Sequence, residues 1–233
     1  MNDKVCLISG VGPGTGAALA RRFAAGGYQI AMLARNQERL QALEAEIGSA
    51  KGYVCDVSDE AAVNATVADV IAAQGQPEIL IHNAVRGTFG NFLEMDPADL
   101  NLNFQINTMG FLYLARALSP AMAAAGHGVI IAAGNTSALR GKANFAGFAP
   151  TKAAQRVLAE AMARELGPQG VHVAYIVIDA VIDLEWTRKM MGDKPTEYFI
   201  QPDAIADNAF YVAHQDRSAW SFNVEVRPFG EVW

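Results

Sequence analysis

Apolar runs alternate with amphipathic stretches along most of the chain. KVCLIS (4–9), YQIAMLA (28–34), KGYVCDV (51–57), EILIHNA (78–84), GVIIAAG (128–134) and VHVAYIVID (171–179) are rich in Val, Ile, Leu and Ala. Near-continuous apolar character, in place of strict alternation, marks strands buried on both faces, as in a parallel sheet covered by helices. Between the first two runs, GTGAALARRFAAGG predicts a helix ended by Gly26-Gly27. NQERLQALEAEI (36–47) predicts a charged amphipathic helix, and Ser58 is expected to cap the next one, with Asp59 and Glu60 favouring its first turn. Long helices are predicted near 97–125 and 150–166. This alternation predicts an α/β fold: a single doubly wound Rossmann-type parallel sheet with helices on both faces, which suits the length better than a barrel. No repeat, low-complexity segment or linker divides the chain, so 1–233 is expected to form one domain.

The stretch 183–201, DLEWTRKMMGDKPTEYFIQ, breaks the pattern by placing Trp186, Met190, Met191, Tyr198 and Phe199 among charges. Two readings fit. One is a substrate lid at the carboxyl end of a strand; the other is a helical excursion packed on the core.

Composition narrows the functional classes. With 52% apolar and 18% charged residues the chain can bury a sizeable core. A net charge of −6 argues against a nucleic-acid partner. No apolar run reaches the roughly 18 residues of a transmembrane helix, and MNDKVCLISG lacks a signal-peptide pattern. Cys6 and Cys55 read as buried thiols, so a reducing cytoplasm is the expected location. His82, His127, His172 and His214 lack metal-ligand spacing, and no metal is expected.

The chemistry begins at SGVGPGTG (9–16), which joins the first strand to the first helix. Such a loop lets backbone approach a phosphate, and the helix N-terminus adds N–H groups and a positive dipole end. The second strand ends in Ala34-Arg35-Asn36, with no acid to take a ribose 2′-hydroxyl. Arg35 offers a planar fork suited to a 2′-phosphate, which favours NADP over NAD; the plainer alternative is a solvated arginine opening a charged helix.

These segments together resemble the short-chain dehydrogenase/reductase family over nearly the whole chain. The family's TGxxxGxG motif aligns with Ser9, Gly10, Gly14 and Gly16, with Thr15 inside it. CDV (55–57) resembles its adenine-binding step, carried by Asp56 and Val57. HNAV (82–85) resembles NNAG, keeping Asn83 and Ala84; Asn107 matches the family's helix asparagine, and Lys152 the lysine of YxxxK. The resemblance implies a dinucleotide-dependent oxidoreductase acting on a small carbonyl or hydroxyl compound, and assembly into a homodimer or homotetramer. It also implies that catalysis falls to Asn107, Lys152 and the positions of Asn135 and Phe148, with Lys152 also binding the nicotinamide ribose.

Those last two depart from the pattern. In GFAPTK (147–152), Phe148 occupies the position of the family's proton-transferring tyrosine, four residues before Lys152. Asn135 stands where the resemblance places a serine that holds the substrate oxygen, Asp179-Ala180 replace a Pro-Gly pair, and Leu184 replaces a threonine. A phenyl ring transfers no proton. One reading keeps enzyme chemistry with an atypical donor, for which Asp179, Thr136, Ser137 or a water held by Asn135 and Lys152 are candidates. The other is a dinucleotide-binding sensor or scaffold without turnover.

Overall fold

The computed structural model describes residues 4–230. The predicted strands form β1 (Val5–Ser9), β2 (Gln29–Ala34), β3 (Ala50–Val54), β4 (Pro77–His82), β5 (Gly128–Asn135) and β6 (Val171–Ile178). Helices α1 (Thr15–Ala25), α2 (Gln37–Ile47), α3 (Glu60–Gln74), α4 (Pro97–Phe104), α5 (Gly110–Ala125) and α6 (Ala149–Leu166) follow in alternation. The remaining elements are β7 (Val181–Ile182), α7 (Glu185–Met191), β8 (Phe199–Ile200), α8 (Pro202–Ala213) and β9 (Asn223–Val226). Seven strands pair in parallel in the order β3-β2-β1-β4-β5-β6-β9.

Alternate residues of β1, β2, β4, β5 and β6 feed two cores. Cys6 and Ile8 of β1 join Leu19 and Phe23 of α1, Leu40 of α2 and Ile205 and Val212 of α8 on one face. Val5 and Leu7 join Val63 and Val67 of α3, Phe111 and Leu118 of α5 and Ala159 of α6 on the other. Burial on both faces accounts for the near-continuous apolar strands. The strand order reverses between β1 and β4, which opens a crevice at their carboxyl ends.

Four local expectations change. Asp59, not Ser58, caps α3: its side chain accepts from the N–H groups of Ala61 and Ala62, while the Ser58 hydroxyl donates to Asp56 at 2.7 Å. β3 and β4 stop before Cys55 and Asn83, freeing Asp56, Val57, Asn83 and Ala84 to line loops. The predicted 97–125 helix runs through but widens to a π-helical turn at Gln105–Met109, a distortion often found at functional sites. β9 was not anticipated, because NVEV alternates between exposed and half-buried positions at the sheet edge.

Segment 183–201 is a built unit. β7 and β8 pair in parallel, and Asp183 binds Arg188 through both oxygens at 2.6 and 2.8 Å. Gln201 donates to Asp183, and the Arg188 guanidinium lies 4.1 Å from the Phe199 ring centroid. Phe199 is therefore core, whereas Trp186 is 62% exposed and Met190 is open to solvent. The segment is a packed excursion, with Leu184 and Trp186 at its start lining a cleft.

Candidate functional site

A cleft of about 470 Å³ opens where the strand order reverses. It is lined by the loop Gly10–Gly16, by Arg35 and Arg39 beyond β2, by Asp56 and Val57 beyond β3, and by Asn83 and Ala84 beyond β4. Ile182, Leu184 and Trp186 close its far side. Apart from Ser9 and Lys152, every residue assigned to dinucleotide binding from the sequence meets here.

Glycine makes this convergence sterically feasible. Gly10 has φ +76°, and a Cβ there would stand 2.3 Å from the Ala84 nitrogen. A Cβ on Gly16 would stand 2.6 Å from the Gly10 carbonyl oxygen. Side chains at either position would force the loop off β4 or off α1. Gly12 faces open space, so its backbone is presented to the cleft. Gly14 differs: a Cβ would meet Leu184 Cδ2 at 2.4 Å, so its constraint comes from the segment after β7. Asn83 locks the two strand ends together, its N–H donating to the Ser9 carbonyl at 3.0 Å and its Nδ2 to the Gly10 carbonyl at 2.9 Å.

The electrostatics favour an anion at one end of the cleft. α1 begins with no side-chain cap and no acidic residue in its first turn, which leaves its first N–H groups free to bind a phosphate. Arg35, just before the Asn36 cap, and Arg39, in the first turn of α2, are both exposed and both line the cleft. Arg39 went unremarked in the sequence: helical spacing does not link it to Arg35, which precedes α2, so it is the fold that brings Arg39 to the cleft. Asn36 is taken up as the cap of α2, accepting from the Arg39 N–H at 2.8 Å. Desolvation, the largest influence on Asp56, works upward, but the Ser58 hydrogen bonds and the nearby Arg35 outweigh it and hold the carboxyl below its ordinary range. The glycine frame, the uncapped helix and this charge pattern fit a pyridine dinucleotide.

Ser9 lies beneath the cleft, fully buried, with its hydroxyl 2.9 Å from His82 Nδ1. Burial and then the Lys152 charge push the His82 pKa down to about 3, so the imidazole is neutral.

Asn107, Asn135, Phe148 and Lys152 lie outside the lining of the cleft. Asn107, in the π-helical turn, accepts from the Arg86 N–H and donates to the Arg86 carbonyl and Thr151 Oγ1. Its carbonyl accepts from Gln155 Nε2 at 2.6 Å. Lys152 is 1% exposed; its ammonium donates to the Ala133 carbonyl at 3.0 Å and to Gln155 Oε1 at 2.5 Å. Burial with two neutral acceptors and no carboxylate brings its pKa down to about 7. Asn135 spends its side-chain oxygen on the Ser137 N–H.

Phe148 is 5% exposed and packs 5.3 Å from the Phe89 ring, which also meets Phe145 at 5.0 Å. A Cβ on Gly87 would come 3.0 Å from Phe148 Cδ2, so the loop after β4 is fitted to that ring. Asp179 is held between Arg140 and Arg227, 3.9 Å from each. Tyr175, unremarked in the sequence, buries its hydroxyl 3.4 Å from both the Lys152 carbonyl and Gln155 Oε1, and burial raises its pKa. Gly134 makes room for it, since a Cβ there would lie 2.1 Å from the Tyr175 ring.

Among the described residues, no helix is long and apolar enough to cross a membrane, and no group of three or more His, Cys, Asp or Glu converges to hold a metal ion.

Comparison with known proteins places this geometry. The chain is 29% identical over 226 residues to a D-threitol dehydrogenase of Mycolicibacterium smegmatis, covering 91% of this chain and 86% of that one. A metagenomic short-chain oxidoreductase solved in complex with NADP superimposes with a TM-score of 0.84 at 31% identity, covering 97% of each chain. An NAD-bound xylitol dehydrogenase superimposes with a TM-score of 0.88 at 26% identity, covering 97% of this chain and 98% of that one. The short-chain dehydrogenase family model matches residues 4–188, so the sheet, the cleft and the glycine frame described above are those of a chain that belongs to the short-chain dehydrogenase family.

Proposed function

We propose that this chain is an NADP-preferring oxidoreductase acting on a small, partly apolar carbonyl or hydroxyl compound, with its proton handled by a group other than the side chain at position 148. The observation that carries the cofactor half is the meeting of Arg35 and Arg39 at a glycine-framed cleft, with no acid among the residues from β2 and α2 that line it. The α1 N-terminus and Gly12 would hold the pyrophosphate, Asp56 and Val57 the adenine, and Asn83 the loop that shapes the site. Bound there, a pyridine dinucleotide supplies hydride exchange. The chain's own part is to orient it, to exclude water with Leu184 and Trp186, and to provide polar groups near Asn135 and Lys152.

Calorimetric titration with NADPH and NADH, followed by cofactor oxidation over aldehydes, ketones and quinones, tests both halves. Tight binding without oxidation of any partner would favour a second reading, a dinucleotide-responsive sensor or scaffold. That reading draws on the burial of Phe148 beneath Phe89 and on the inward tie of Lys152. In either case we expect a homodimer or homotetramer, since Leu102 on α4 and Val157 on α6 expose apolar surface. Light scattering that gave the monomer mass of 24.9 kDa would contradict this.

A further inference from the structure

We infer that Gln155 is the positioning residue for Lys152: its fixed amide ties the ammonium to the π-helical turn and so sets where that cation stands and whether it stays charged. The inference bears on the site proposed above, but its first test is independent of that reading.

Gln155 is completely buried one turn beyond Lys152 on α6. Its two ends face opposite demands. The Asn107 carbonyl needs a donor and takes Nε2 at 2.6 Å; the Lys152 ammonium needs an acceptor and takes Oε1 at 2.5 Å. A flipped amide would set a carbonyl against a carbonyl and an NH₂ against an ammonium, so a single orientation satisfies both ends. The Tyr175 hydroxyl stands 3.4 Å from the same Oε1 and reinforces that orientation.

The apolar surroundings give the link its weight. A buried cation with neutral acceptors stays charged only as far as those acceptors offset its desolvation. Lys152 has two: the Ala133 carbonyl, fixed in β5, and Gln155. Removing the second leaves a buried ammonium with one neutral acceptor. The titratable groups facing Lys152 from neighbouring strands are His82 of β4 and Tyr175 of β6. His82 is neutral down to about pH 3 and the Tyr175 phenol stays protonated well above neutrality, so neither compensates across the physiological range.

The sign of each substitution follows. Gln155→Glu keeps the shape and, although it gives up the donor to the Asn107 carbonyl, places an anion against the ammonium, which raises the Lys152 pKa. Gln155→Leu removes the acceptor and lowers it. The chain has six lysines, and the other five are exposed, so Cε resonances of labelled lysine separate Lys152 cleanly; Lys152→Met assigns it. In the unmutated protein without added cofactor, Lys152 should titrate near 7. Gln155→Glu should move that midpoint up by roughly 1–3 units, the range for an opposite charge in contact. Gln155→Leu should move it down. If Gln155→Leu fails to fold, Gln155→Glu remains decisive because it is nearly isosteric. A Lys152 resonance with the same shift and midpoint in folded Gln155→Glu as in the unmutated protein would overturn the inference. Adding NADP to the unmutated protein reports separately on the proposed function. An unmoved Lys152 resonance at saturating NADP would count against a lysine–ribose contact while leaving the Gln155–Lys152 link standing.

Discussion

The two ends of this site were built under different constraints. At the end formed by the loops after β1 to β4, backbone does most of the work: close approaches at Gly10 and Gly16, an uncapped helix start, and a clamp from Asn83. Few side chains could replace that frame without breaking the join between β1 and β4. At the other end, around the carboxyl ends of β5 and β6 and the start of α6, side chains dominate. Phe148 is covered by Phe89, Lys152 is tied to Gln155, Asn135 caps its own loop and Asp179 lies between two arginines. A backbone-built subsite admits little substitution, whereas a side-chain-built one can be reassembled around a new set of contacts.

The largest effect should come from attacking the backbone-built end. Gly10→Ala places a Cβ against the Ala84 nitrogen at a positive φ, and such strain costs at least about 2 kcal/mol. Thermal stabilisation by NADP should disappear, with a lower Tm for the variant itself; retained stabilisation would show that the dinucleotide binds elsewhere. Gly14→Ala should be milder, because its obstacle is the flexible end of Leu184.

Next in size is the charge pair. Replacing Arg35 and Arg39 together by Ala should remove the preference for NADPH, a loss of roughly ten- to a hundredfold in affinity for the phosphorylated cofactor. NADH binding should change little, and an equal loss for both cofactors would mean that the arginines act on the fold or the pyrophosphate.

The smallest effect is expected where intuition looks for the largest. Phe148→Tyr returns a phenol to the position beside Lys152, and a working general acid is worth about 10²–10⁴-fold. In a reassembled pocket the gain should stay below about tenfold, since the ring is buried against Gly87 and Phe89. NADPH oxidation over a carbonyl panel measures it, and a gain in the full general-acid range would show a site that merely lost one atom.

The same contrast governs what the sequence made legible. Six strands, the helices around them and most of the dinucleotide cleft could be read, because glycine spacing and continuous apolar runs record backbone requirements directly. β9 and α8 escaped: β9 is half-exposed, and α8 follows an irregular segment that masks its start. Arg39 was not legible as a partner of Arg35, because the chain turns at Asn36 before α2 begins. The substitutions at 135 and 148 were plain, yet what replaced the lost contacts was not. Gln155, Tyr175 and Phe89 join the site from 7, 27 and 59 residues away from Phe148, and only the packing of β4, β6 and α6 brings them together.

The central claim is that the backbone-built end is a working pyridine-dinucleotide site with a preference for the 2′-phosphate. Calorimetric titration of the unmutated protein with NADPH and NADH tests it most directly. Saturable binding of both is expected, with NADPH tighter by roughly tenfold or more. Absence of saturable binding by either cofactor up to about 1 mM would contradict it.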